Sequence, residues 1–198
     1  PEDRAAIEKD FLRATVEETR RFEYFEGGRN NHQTWFNASY AVVGLALGDE
    51  KLLRYAYDGP YGLAWQTGHS VTEDGLWYEG GMAYHFYALD AIVEILKAFD
   101  RAGWPIREPR IENLFAGPLH FAYPDGRFPV INDSDPSSLY AYTRFYEWAG
   151  VFFTNPLFAA AARMKPDAPL VQGNSQAMRD AGLVFLRRRL RPSLPSAP

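Results

Sequence analysis

An all-α body of antiparallel helical hairpins is the fold this sequence predicts, and three observations predict it. Long segments repeat apolar residues at helical spacing, and glycine, proline, asparagine and aspartate punctuate them at helix-length intervals. Only one stretch, "DAGLVFLRRRL" at residues 180–190, alternates as a strand does.

Taken in order, residues 3–23 predict an amphipathic helix with Ile7, Phe11 and Ala14 on one face and Glu17 four positions before Arg21. "EGGRNN" breaks that pattern, because paired glycines and asparagines favour loops and caps. Thr34 to Leu47 is apolar around nearly its whole circumference, as a helix buried on several sides must be. Gly48 stops it, and Asp49 caps a following helix, "DEKLLRYAYDG".

Between Met82 and Arg101, Asp90, Glu94, Lys97 and Arg101 share one narrow stripe that faces water. The same rotation puts His85 on nearly the opposite side and Tyr84 about 110° from the stripe, so both point inward or to a rim. Further helices are predicted within 107–122, 135–150 and 155–164, with "YPDGRFPVINDSD" as the loop between the first two. A helical unit over 1–172 and the start of a β-rich unit over 173–198, ending in a disordered "RPSLPSAP", is the expected domain plan.

Composition narrows the function classes. With 46% apolar and aromatic residues and 23% charged in 198, the chain can bury a core of one domain or slightly more. It opens on "PEDRAAIEKD", in which no targeting signal can be read, and is expected to be an excerpt of a longer polypeptide. "YAVVGLALG" is too short to span a bilayer, so no membrane partner is expected. The absence of cysteine removes disulfides and thiolate metal sites, and a net charge of -4 argues against nucleic acid. An anionic ligand would need local cations. The 12 Tyr, 14 Phe and 5 Trp suit sugar recognition, but rings also fill cores.

Two ring-rich loops, "GGRNNHQTW" and "EDGLWYEGGMAYHFYALD", each precede a helix, and paired helices can bring such loops to one end of a bundle or toroid. Each candidate has a plainer role. His32 could cap its helix, Tyr84 could be a core ring, and His85 could be a buried hydrogen-bonding residue. Asp74 and Glu79 could be an acid/base pair or could anchor loop amides, and Asp133 and Asp135 pose the same choice. Trp35, Trp77 and Tyr78 could form a sugar-stacking wall or pack between helices. Arg29 is the best local cation for an acidic sugar. The four histidines lack metal-ligand spacing, so neither metal nor cofactor is expected.

"RNNHQTW", "DGLWYEGGMAYHFYAL", "YPDGRFPVINDSD" and "DAGLVFLR", in that order, resemble the heparinase II/III-like and oligoalginate-lyase polysaccharide lyases. The resemblance implies an incomplete α/α toroid followed by a β-sandwich half, missing here, and β-elimination of uronate polysaccharides in the periplasm or outside the cell. By resemblance Tyr84, with Tyr87 as the fallback, donates a proton to the departing oxygen and could also take the C5 proton. Asn31 and His32 then neutralise the uronate carboxylate. Arg29, Gln33, Trp35, Trp77, Tyr78, Glu79, His85 and Tyr87 complete the expected substrate-lining set. Relatives also bring a further histidine from beyond the toroid, and none follows His120 here.

The chemistry makes these residue types reasonable independently of family. A proton beside a carboxylate becomes acidic only when donors damp the carboxylate's charge, and Asn and His are such donors. A tyrosine with a pKa of about 10 is a ready acid but needs help to be a base. A glycoside hydrolase using paired carboxylates and a non-catalytic glycan-binding domain are the other two readings.

Overall fold

The computed structural model describes residues 2–23, 27–166 and 175–185. The body is mostly helical, as expected, and the strand-like stretch is paired: β1 (Gln176–Met178) and β2 (Leu183–Phe185) form an antiparallel hairpin with Ala177 opposite Val184. Three residues of "QAM" carry too little alternation to announce a strand in sequence. The predicted boundary at 172/173 and the tail lie outside the described residues.

The first helical stretch comprises α1 (Glu2–Ala6), a wide π-helical segment over Ile7–Arg13, and α2 (Ala14–Arg20). Its expected inward face is open: Ile7 and Phe11 are exposed, and Val16 is the residue it buries. The next two helices form the expected hairpin. In α3 (Asn31–Leu47) the chain leaves through Gly48 in the left-handed region, and Asp49 Oδ1 accepts from the Leu52 N–H at 3.1 Å to start α4 (Glu50–Asp58).

Helix α3 begins three residues earlier than predicted, because Asn30 Oδ1 accepts from the Gln33 N–H at 2.8 Å and so caps it. His32, the other capping candidate, is not that cap. A short helix missed in sequence, α5 (Leu63–Ser70), follows α4. Its signal is weak because its inner face carries polar Gln66, Thr67 and Ser70, all buried. Gln66 donates to the Gly28 carbonyl, which ties α5 to the loop before α3.

The longest helix, α6 (Met82–Arg101), supplies the centre of the core with Leu89, Ile92, Ile95 and Leu96, all fully buried. Its most extensive helix partner is α3. Asn31 meets Glu79 just before α6, and one turn further on Trp35 meets Tyr87 with ring centroids 5.4 Å apart. The two helices therefore run side by side in the same direction, with α4 and α5 carrying the chain back between them. Both helix starts open to one end of the body.

Helix α7 (Pro109–Phe121) contains Pro118, which has no N–H to give the Leu114 carbonyl four residues earlier. After α7 the chain makes an excursion closed at its base by Arg127 bridging Ser138, then a 3-10 turn over Leu139–Tyr142, α8 (Thr143–Phe152) and α9 (Pro156–Ala161). The excursion is pinned to the core by Phe128, buried against Phe86 and Phe121. Its tip, Asn132–Asp133–Ser134, reaches back to the start of α6. The hairpin is clasped to the helices by reciprocal bonds: Asp74 Oδ2 accepts from the Asp180 and Ala181 N–H groups at 2.7 and 3.1 Å, and Asp180 accepts from the Glu73 N–H.

Candidate functional site

Three segments meet where α3 and α6 begin. The first is the loop before α3, held by Gln66 and by close packing of Gly28, where an added Cβ would fall 2.2 Å from the Tyr61 ring. The second is the turn from Val71 to Gly81, and the third is the 132–134 tip. None of the three is close in sequence to the other two; side chains make the joins.

Glu79 is the hub. Its carboxylate accepts from Asn31 Nδ2 at 3.2 and 3.1 Å and from the Trp77 indole N–H at 2.6 Å. Its backbone carbonyl accepts from Asn132 Nδ2 at 3.2 Å. Asp133, next along, accepts from the Tyr84 hydroxyl at 2.9 Å. A chain of contacts thus runs Asn31, Glu79, Asn132–Asp133, Tyr84, and it places the predicted amide and phenol at the same end of the fold.

Tyr84 is half-buried, at the rim that its helical rotation predicts. The Asp133 hydrogen bond and charge, followed by desolvation and then Glu79's charge, push its phenol above the usual tyrosine value. His32 is exposed on the first turn of α3. Arg29 is also exposed; its guanidinium lies 4.3 Å from the Tyr78 ring centroid while the Tyr78 hydroxyl donates to the Arg29 carbonyl at 2.6 Å. The phenol of Tyr78 is raised by burial and then by Glu79. Tyr87 is 47% exposed and offers a ring face beside half-buried Trp35.

Three members of the expected lining set are corrected. His85 is fully buried, and Gln33 and Trp77 are each 1% exposed, so none of them can meet a ligand at the surface. Gln33 spends its amide on Asn37 Oδ1 at 3.1 Å. Trp77 lies under the turn with its indole N–H on Glu79. His85 has a structural task that its sequence partner explains: its Nδ1 accepts from the Trp77 backbone N–H at 3.0 Å, so Nε2 carries the proton and donates to the Leu114 carbonyl at 2.9 Å. That is the carbonyl orphaned by Pro118. Burial drives this imidazole's pKa down to about 4, so it is neutral.

The carboxylate alternatives resolve in part. Asp74 is occupied by hairpin amides and acts as an anchor. Glu79 anchors Asn31 and Trp77, and Asp133 engages the phenol, a partnership that 49 residues of separation hide from sequence inspection. Behind the turn lies a cavity of about 170 Å³ lined by Trp77, Tyr78, Gly80, Asn132 and Asp180. Among the described residues no group of three or more His, Asp or Glu side chains is placed to hold a metal, and no helix is long and apolar enough to cross a membrane.

Compared with known families, residues 1–117, more than half of the chain, match the family model described as Alginate lyase. A comparison with curated proteins finds no match.

Proposed function

The chain belongs to the alginate lyase family, and from that premise we propose that it cleaves a uronate-containing polysaccharide by β-elimination, within an incomplete α/α toroid. Membership makes it a polysaccharide lyase with an acidic polysaccharide as substrate. What supports the finer reading is the contact chain that runs from Asn31 to Tyr84 across Glu79 and the 132–134 tip.

In this reading the glycan lies across the joint start of α3 and α6. Exposed His32 presents a donor to the carboxylate of the uronate whose C5 proton is removed, while Asn31, 8% exposed with its amide on both Glu79 oxygens, holds the Glu79 side chain at the edge of the site. Tyr84 delivers a proton to the departing glycosidic oxygen. Trp35 and Tyr87 offer a stacking face to a neighbouring sugar ring. The β-rich remainder of the polypeptide is proposed to complete the cleft, and the setting is proposed to be periplasmic or extracellular. A hydrolase built on Asp74 and Glu79 has less support, because both carboxylates are engaged by neighbouring donors.

The test is the product. Incubation of the full-length protein with polymannuronate, polyguluronate, heparan, hyaluronan and chondroitin should give rising ultraviolet absorbance from a C4=C5 double bond on at least one of them. New reducing ends without that absorbance would mean hydrolysis. Binding without turnover would mean a glycan-binding domain.

Arg29 gives a second check. Its guanidinium is stacked on Tyr78 and exposed, which leaves its edge for a carboxylate. Arg29→Ala should raise KM by roughly tenfold, the size of about 1.4 kcal/mol of lost ground-state binding, with kcat little changed. The loss should shrink as salt is added. A kcat effect without a KM effect would place Arg29 in the chemical step instead.

A further inference from the structure

The Tyr84 hydroxyl carries one proton, and that proton faces a carboxylate. Asp133 Oδ2 lies 2.9 Å from the phenol oxygen. An ionised carboxylate can only accept, so the polarity of this bond is fixed. With its proton committed to Asp133, the phenol presents only lone pairs to anything else, which is the arrangement of a proton acceptor. The charged groups that bear on it are Asp133 on the loop tip and Glu79 on the turn, and both disfavour a phenolate. A base at this position must therefore work without prior ionisation.

Asp133 is held where it is by the seating of the loop tip on the turn before α6. Asn132 sits in the left-handed region at φ 52° and donates to the Glu79 carbonyl. Gly80 and Gly81 make room for the tip. A Cβ on Gly80 would fall 2.5 Å from Asn132 Nδ2, and one on Gly81 would fall 3.0 Å from Ser134 Oγ and 3.1 Å from the Tyr84 ring. The paired glycines of "YEGGMAYH" thus let the loop close over the helix start and bring a carboxylate to the phenol.

Resting on the lyase reading above, we infer that Asp133 is the proton acceptor behind Tyr84. As the C5–H bond breaks, its proton bonds to Tyr84 Oη while Tyr84's own proton passes to Asp133 Oδ2. The electron pair left on C5 spreads into the uronate carboxylate. When the C4–O bond breaks and that pair forms C4=C5, Tyr84 gives a proton to the departing oxygen and Asp133 returns one to Tyr84. Both side chains end as they began, and nothing else is consumed.

The experiment uses the full-length protein with polymannuronate and polyguluronate oligosaccharides as probes. Asp133→Asn should lower kcat by roughly a hundredfold or more with KM little changed, and Asp133→Glu should recover part of the loss. The Tyr84 titration, followed by NMR on carbon-labelled tyrosine, should move down in Asp133→Asn, which reads the loss of the neighbouring charge, whereas the kcat loss at constant KM is what a purely structural loop contact would not produce. A cooperative melt like that of wild type checks that the tip remains seated. Wild-type kcat in Asp133→Asn, from an enzyme that Tyr84→Phe silences, would overturn the relay alone. A wild-type protein that makes no unsaturated product on any polyuronate would overturn the lyase reading and the relay with it.

Discussion

Tyr84→Phe should leave a folded protein whose release of unsaturated uronate falls by roughly 10² to 10⁴-fold, the usual contribution of one well-placed proton transfer. The substitution removes a single oxygen from a half-buried rim position and keeps the ring that packs beside Gly81. Its one described hydrogen-bond partner, Asp133, lies at the surface and returns to water when the hydroxyl is gone. The melting temperature should therefore barely move while turnover collapses. Because Asp133 and Glu79 hold the phenol above its ordinary pKa, the deficit should be as deep at neutral pH as in mild acid. Ultraviolet absorbance against time, beside a circular dichroism melt, reads both quantities. A variant that keeps wild-type turnover takes the phenol out of the chemistry, and Tyr87 becomes the tyrosine to test.

The second large effect concerns stability. His85→Ala would leave the Trp77 N–H and the Leu114 carbonyl without partners at a fully buried site and open a void, at a cost of roughly 2–5 kcal/mol. His85→Gln, which carries an acceptor and a donor, should lose much less. The histidine also gives the fold an acid-sensitive limb. Its folded pKa of about 4 lies below the ordinary histidine value of 6.5, so between those values the unfolded chain binds a proton that the folded chain refuses. Stability from this residue is intact above about pH 6.5 and declines toward pH 4, by on the order of 3 kcal/mol in all. Denaturant melts at neutral pH and near pH 4 should show that decline in wild type and a shallower one in His85→Gln. Equal declines in both proteins would mean that other groups set the acid limit.

Much of this was legible in the sequence where local periodicity carries the information. The rotation of α6 turns Tyr84 and His85 inward or to a rim, and the structure sets Tyr84 half-buried at a rim and His85 fully inside. Gly48 and Asp49 mark the α3–α4 corner because a left-handed exit and a carboxylate cap are local chemistry. Features that depend on distant partners were not legible. Trp77 reads as a candidate sugar platform, yet the His85 ring and the Glu79 carboxylate draw it beneath the turn. Asp133 reads as one acid among several in "NDSD", and only the seating of Asn132 against Gly80 gives it the phenol. Pro118 holds a usable hint, since a proline within a helix predicts an orphaned carbonyl in search of a donor. The fully buried His85 is that donor.

The shared direction of α3 and α6 has an electrostatic consequence. Peptide dipoles sum along each helix to roughly half a positive charge at its start, and in these helices of 17 and 20 residues the two starts lie side by side. A polyanion arriving at that end meets the summed field of two backbones in addition to the exposed Arg29 guanidinium. That field offsets part of the repulsion from Glu79 and Asp133, so a site carrying two carboxylates can still draw an acidic chain toward it.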